Sequence, residues 1–253
     1  MYLYFYMFLK NEMNLIIDIG NTRAKLAIFK RNKILKKFTS DVKSIRKNVQ
    51  TLKKDFTIKN CIISSVSKFD FAEFENLNDF DKLIELNQHT KIPFNNKYAT
   101  PATLGVDRIA LASAAVTKYP AKNVLIIDAG TCITYDFVTA NNEYLGGAIS
   151  PGIDIRYRSL HTFTANLPQL KKGNFELIGT DTESSIHSGI LNGFIQEVEG
   201  IIRQYKAKYQ NLTIVLTGGD TNFLAKMLKS TIFANPNFLL EGLNSILIYN
   251  LDE

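Results

Sequence analysis

Two short stretches, Asp18-Ile-Gly-Asn-Thr22 and Asp128-Ala-Gly-Thr131, stand 110 residues apart in the same local setting. Each closes an apolar run of strand length, Leu15 to Ile19 in the first case and Val124 to Asp128 in the second. Each also opens a further apolar run, Ala24 to Phe29 and Cys132 to Val138, so both read as the tip of a hairpin. Fold stability does not call for the same acidic turn at matching positions of two half-chains. A ligand held by both turns does.

The surrounding pattern extends the repeat. In the first half a strand over Ile34 to Phe38, a helix over Val42 to Lys54 and a buried strand Cys61 to Val66 follow the hairpin. An Ala-rich helix then runs from Val106 to Lys118 and is stopped by Pro120. In the second half an Asn141-Asn142 turn leads to a strand over Tyr144 to Ile149. Helical periodicity over Thr182 to Lys208, a strand Leu212 to Leu216 and a helix over Asn222 to Leu228 complete it. The expected architecture is two similar α/β domains, residues 13–115 and 120–253, facing each other across a cleft lined by the two turns. Met13 precedes the first strand directly, and residues 1–12 read as an upstream extension.

A chain of 253 residues, 45% hydrophobic and 21% charged, has the composition of a globular protein with a sizeable core. Its net charge of +6 admits a nucleic acid, an acidic membrane or a phosphorylated small molecule as partner. The basic residues are spread out, however, and the densest group, Lys30 to Lys37, has no interleaved aromatics for base stacking. A solvated basic face is expected there, with neither nucleic acid nor membrane as partner. Cys61 and Cys132 each lie in an apolar stretch, without a Cys-x-x-Cys pair or a histidine at ligand spacing, which argues against a disulfide scaffold or a zinc site. The run Tyr2 to Leu9 is too short to span a bilayer and lacks the flanks of a signal peptide, so a cytoplasmic location is expected. His89, His161 and His187 have no Ser or Cys nucleophile pattern beside them and read as structural.

A carboxylate at a strand end, followed by glycine and a hydroxyl residue, offers three groups in a small space. The Asp can hold a metal ion, the Gly lets backbone approach a phosphate, and turn N–H and Thr or Asn side chains donate to its oxygens. Lys25 adds a cation near the phosphates or is simply a solvent-facing strand lysine. Thr217-Gly-Gly-Asp220 follows a strand and precedes a helix, where a Gly pair lets a purine or ribose lie on the backbone; alone it is an ordinary turn. Gly146-Gly-Ala-Ile-Ser-Pro-Gly152 is too apolar for a further phosphate site and reads as a pocket wall or a tight hairpin exit. Leu104-Gly-Val-Asp-Arg108 opens a helix between the two halves. Asp107 and Arg108 there form either a cap with a surface ion pair, or a base orienting an attacking hydroxyl beside a cation for a carboxylate or phosphoryl group.

With these residues the chain resembles the type III pantothenate kinases, of the superfamily of acetate and sugar kinases, actin and heat-shock chaperone ATPases. The resemblance runs from Met13 nearly to the C-terminus. It rests on Asp18 to Thr22, Tyr98, Gly105 to Arg108, Asp128 to Thr131 with Thr134, Gly146 to Gly152 and Thr217-Gly-Gly219, in that order. It implies two ribonuclease H-like domains, each a mixed sheet with flanking helices, around a nucleotide cleft. It further implies ATP-dependent phosphorylation of pantothenate to 4'-phosphopantothenate, the first step of coenzyme A biosynthesis. Asp107 would be the catalytic base, with Tyr98, Gly105, Val106, Asp107 and Arg108 contacting pantothenate and Thr182 reaching it across a homodimer interface. ATP would meet Asp18, Ile19, Gly20, Asn21, Thr22, Arg23, Ala24, Lys25, Thr131, Gly218 and Gly219. Magnesium would sit near Asp18, held through water, and potassium or ammonium on Asp128. The apolar segment Ile186 to Ile202 is the candidate dimer surface. Cys132 stands where a smaller residue is usual and is expected to crowd the nucleotide pocket slightly; Asp181 stands where Asn is frequent. Two other readings remain open on the residues alone: a non-enzymatic nucleotide-binding regulator on the same fold, and a kinase for another small alcohol.

Overall fold

A computed structural model of the chain describes residues 13–20, 23–66, 71 and 80–251. It divides into two compact units, the first made of residues up to Lys118 together with Asn237 onward, the second of Tyr119–Pro236.

In the first unit β1 (Met13–Ile19), β2 (Ala24–Lys30), β3 (Lys33–Ser40), β4 (Ile58–Ser65) and β5 (Lys82–Glu85) form a five-stranded sheet in the order β3-β2-β1-β4-β5. β1 to β3 are antiparallel, and β4 and β5 join parallel to β1. β1 is buried on both faces, which is why it reads as an unbroken apolar run. β3 is the edge, and its exposed lysines keep that edge from pairing with another chain. Arg31, at φ 52°, makes the tight turn between β2 and β3. The strand period of two sends Leu15, Ile17 and Ile19 to one face, where Ile45, Val49 and Leu52 of helix α1 (Ile45–Asp55) cover them. Asn14, Ile16 and Asp18 take the other face.

That second face is covered by α2 (Val106–Lys118) and α6 (Phe238–Tyr249), the last helix of the chain. The linear boundary expected at residue 120 therefore needs correction, because the chain returns to the first unit at Asn237. The physical reason is close helix packing. Gly242 of α6 lies against the Ala110 carbonyl of α2 with no room for a side chain, and Lys118 pairs with Glu241 at 2.7 Å. A buried amide chain adds to it: Asn60 donates to Asn14 at 3.1 Å, Asn14 to Asn244 at 3.0 Å, and Asn244 to the Arg31 carbonyl at 3.0 Å.

The second unit repeats the topology. Its strands β6 (Asn123–Ala129), β7 (Cys132–Val138), β8 (Glu143–Pro151), β9 (Leu212–Thr217) and β10 (Phe233–Ala234) run in the order β10-β9-β6-β7-β8. The first three are again antiparallel, with β9 parallel to β6 and β10 to β9. Helices α3 (Ile153–Thr162), α4 (Thr182–Lys208) and α5 (Thr221–Met227) flank the sheet. α4 starts on a capping box in which Asp181 accepts from the Ser184 N–H at 2.8 Å. Its residues Ile186, Ile190, Leu191, Phe194, Ile195, Val198 and Ile202 pack on Leu125, Ile127 and Ala129. The apolar segment expected to be a dimer surface is thus committed to its own unit's core. Among the described residues no helix is long and apolar enough to cross a membrane.

Candidate active site

In both units the acidic turn is placed by the same register. Asp18, at the end of β1, lies opposite Lys25 of β2 and beside Ser64 of β4; Asp128, at the end of β6, lies opposite Thr134 of β7 and beside Thr217 of β9. Each turn is closed by its glycine, the Gly20 N–H donating to the Arg23 carbonyl at 3.0 Å and the Gly130 N–H to the Cys132 carbonyl at 2.9 Å. Asn21 and Thr22 lie outside the described residues. Of the remaining first-turn candidates, Ile19 and Ala24 are buried strand residues, while Arg23 and Lys25 are exposed.

The strand alternation that sends Asp18 to the face covered by α2 also places it within electrostatic reach of Asp107. Burial pushes the Asp18 carboxyl from its ordinary 3.8 up to about 6; Lys25 draws it down, and the nearby Asp107 carboxylate raises it again. The Asp107 carboxylate raises the cost of ionising Asp18, and negative charge gathered there favours a cation. Among the described residues no three His, Cys, Asp or Glu groups gather to hold a metal on their own. This donor set fits magnesium, which usually binds through one or two carboxylates, retained waters and substrate phosphates.

Asp107 occupies the first turn of α2, where the helix N-terminus favours an anion. Its Oδ1 accepts from the Arg108 N–H at 2.9 Å, which fixes the carboxyl plane. The carboxylate folds back over Gly105, where a Cβ would meet Oδ1 and push the Asp107 side chain out of this position. Arg108 is buried, 6% exposed, and its guanidinium lies 5.6 Å from the Tyr98 ring centroid. Asp18, Tyr98, Gly105, Asp107 and Arg108 are all in the first unit, and the burial of Arg108 takes it away from the surface.

In the second unit Gly218 has φ 94°, and a Cβ there would collide with the Asp128 carboxylate and the Ala129 carbonyl. The Asp220 N–H donates to that same carbonyl at 2.9 Å, so the Gly-Gly turn is seated on the second acidic turn. Thr131 and Gly219 are exposed. The Gly152 N–H donates to the Thr131 carbonyl at 3.1 Å, making Gly146 to Gly152 a support for that turn. Cys132 is exposed, against the expectation of an apolar setting, because it begins β7 at the turn itself. Thr182, exposed at the start of α4, lines a cavity of about 730 Å³ with Arg156, Ser159, Leu160, Leu167 and Ile186. An ion pair between Lys172 and Asp220 was not legible in advance; Asp220 stood in a recognised turn, but Lys172 lies 48 residues earlier in an irregular stretch.

The two sheets share one α/β topology, each with an acidic turn at the end of its central strand. Crystal structures with this fold include that of a conserved Campylobacter jejuni protein assigned to the Baf family of transcriptional activators, with TM-score 0.63 and 23% identity over 94% of this chain and 100% of that one. A glucokinase from an Antarctic psychrotroph matches with TM-score 0.54 and 13% identity over 94% and 99%. The chain belongs to the type III pantothenate kinase family, whose model matches residues 14–204. It is also similar to a type III pantothenate kinase of Christiangramia forsetii, 54% identical over 94% of this chain and 99% of the relative.

The charge at Asp18 has a measurable consequence. Because its folded value is raised, the folded chain holds a proton that the unfolded chain has released, and this contribution to stability is lost as pH rises from about 4 through about 6. At about 1.4 kcal/mol per pH unit the burden at neutral pH is about 3 kcal/mol. Asp18→Asn is therefore expected to melt at a higher temperature than the parent at pH 7.5 without ligand. Equal melting temperatures across pH 4–8 would contradict this account.

Proposed function

We propose that this type III pantothenate kinase transfers the γ-phosphoryl group of ATP to the primary hydroxyl of pantothenate with Asp107 as the base. The product is 4'-phosphopantothenate, the first intermediate toward coenzyme A. The observation that carries the assignment is that the acidic turn of Asp18 and the oriented carboxylate of Asp107 belong to one unit, close enough for the Asp107 charge to be felt at Asp18.

With Oδ1 held by the Arg108 N–H, the other Asp107 oxygen receives the acceptor hydroxyl. A carboxylate is a weak base, so its main contribution is to orient that hydroxyl in line with the phosphoryl group, the proton moving to Asp107 as the bond to phosphorus forms. Arg108, planar and buried against Tyr98, binds the carboxylate of pantothenate, and Gly105 and Val106 shape the wall. Thr182 completes the substrate site from the second subunit of a homodimer. ATP is held by Asp18, Gly20, Asn21, Thr22 and Lys25 of the first turn, by Thr131 of the second, and by Gly218 and Gly219 on the adenosine side. Asp18 holds magnesium through water and Asp128 holds potassium or ammonium; when bound, these ions neutralise charge on the phosphates. The enzyme works in the cytoplasm on soluble substrates.

The test is incubation with magnesium ATP and pantothenate in potassium buffer, with 4'-phosphopantothenate and ADP followed together. Equal formation of both products is expected, falling in sodium-only buffer. Folded protein that binds ATP and forms no phosphopantothenate overturns the assignment, and equal rates in sodium and potassium overturn the role of Asp128.

A further inference from the structure

Between α3 and α4 the chain runs for 19 residues, 163–181, without helix or strand. It is pinned to its unit chiefly by side chains. The Ser188 hydroxyl donates to the Leu177 carbonyl at 2.7 Å, and the Asn192 amide to the Glu176 carbonyl at 3.0 Å. Phe175 meets Phe223 of α5 edge to face at 6.4 Å. At its centre Lys172 pairs with Asp220, the residue after the Gly218-Gly219 turn, and lies 4.9 Å from the Phe223 ring centroid.

Asp220 breaks a local rule here. It stands at the N-cap of α5, where an Asp side chain ordinarily accepts from the N–H two or three residues on, yet it makes no cap bond. Its carboxylate is turned to Lys172 instead. The same residue's backbone N–H holds the Ala129 carbonyl at 2.9 Å, so a pull on Asp220 is a pull on the Gly-Gly turn and on the backbone beside Asp128. Giving up a favourable cap for a distant cation makes structural sense if the position of this turn matters more than the stability of a seven-residue helix.

We propose that Lys172 is a positioning residue for the nucleotide: by holding Asp220 it sets the Gly218-Gly219 turn in the conformation that receives adenosine. The proposal rests on the assignment of that turn to ATP. It also gives the 163–181 segment a role, since this segment joins the nucleotide turn at Lys172 to Thr182 at the start of α4. The pair is partly solvated, its side chains 37% and 20% exposed, so the effect is moderate.

The test is Lys172→Met, which keeps the aliphatic stem over Phe223 and removes the charge, read by titration with a nonhydrolysable ATP analogue and by steady-state kinetics. The analogue Kd and the ATP KM are each expected to rise about threefold to fivefold, with kcat within about twofold of the parent. Lys172→Arg should recover most of the affinity, and the double variant with Asp220→Asn should be no worse than either single change. An unchanged Kd in folded Lys172→Met, or single effects that add in the double variant, would overturn the proposal. If Lys172→Met does not fold, Asp220→Asn carries the same Kd test. Failure of the kinase assignment would show separately, as a parent enzyme that makes no phosphopantothenate, and would leave the analogue titration readable.

Discussion

Replacing Asp107 with asparagine is expected to lower kcat by about 10²–10⁴-fold, the usual contribution of a positioned general base. The amide oxygen can still accept from the Arg108 N–H, so the start of α2 and the packing over Gly105 are preserved. What is lost is an anionic oxygen aimed at the acceptor hydroxyl. ATP affinity should not fall. Asp107 raises the cost of ionising Asp18, and removing that charge leaves Asp18 ionised to lower pH. Nucleotide binding below about pH 6 should therefore be slightly stronger in the variant than in the parent. Single-turnover kinetics together with an ATP-analogue titration at pH 5.5 and 7.5 would check both halves. Retained turnover would remove Asp107 from the role of base.

The other large effect concerns Gly218. An alanine there must adopt a φ of 94° and place its Cβ into the Asp128 carboxylate and the Ala129 carbonyl, a backbone group with nowhere to go. The left-handed conformation costs about 1 kcal/mol and the displaced neighbours about 1–3 kcal/mol more. Since the displaced groups belong to the second acidic turn, nucleotide affinity is expected to fall at least tenfold, by about 1.4 kcal/mol or more. Gly219 is the internal control, because a Cβ at that position meets nothing within 4 Å. Gly219→Ala should melt like the parent, whereas Gly218→Ala should melt several degrees lower. Identical melting temperatures for the two variants would contradict the seating of this turn on Asp128.

Much of this arrangement could be read along the chain because its signals are local. Leu15 to Ile19 and Val124 to Asp128 are strands buried on both faces, and such strands announce themselves as unbroken apolar runs. The hairpin after each, and the Ala-rich helix Val106–Lys118, carry equally local marks. That Asp18 feels the charge of Asp107 follows from strand alternation, but only once the covering helices are known. Other features depend on a distant partner and leave no local trace. The apolar residues of α6 look the same whichever unit they cover, and the choice is made by Gly242 against Ala110 and by the Asn14–Asn60–Asn244 amides. The Ile186 to Ile202 stripe could not be told from an exposed interface because amphipathic periodicity shows that a face is covered, not by what. Lys172 and Asp220 are ordinary surface residues in sequence, and only the fold joins them.

The return of α6 gives the two units unequal histories during synthesis. Tyr119–Pro236 is an unbroken segment that can emerge from the ribosome and fold without waiting for anything downstream. The first unit, though its larger segment is translated first, lacks the helix that carries Asn244 to Asn14 until residues from Asn237 onward have been made, so its core cannot be completed before the whole of the other unit's segment has been synthesised.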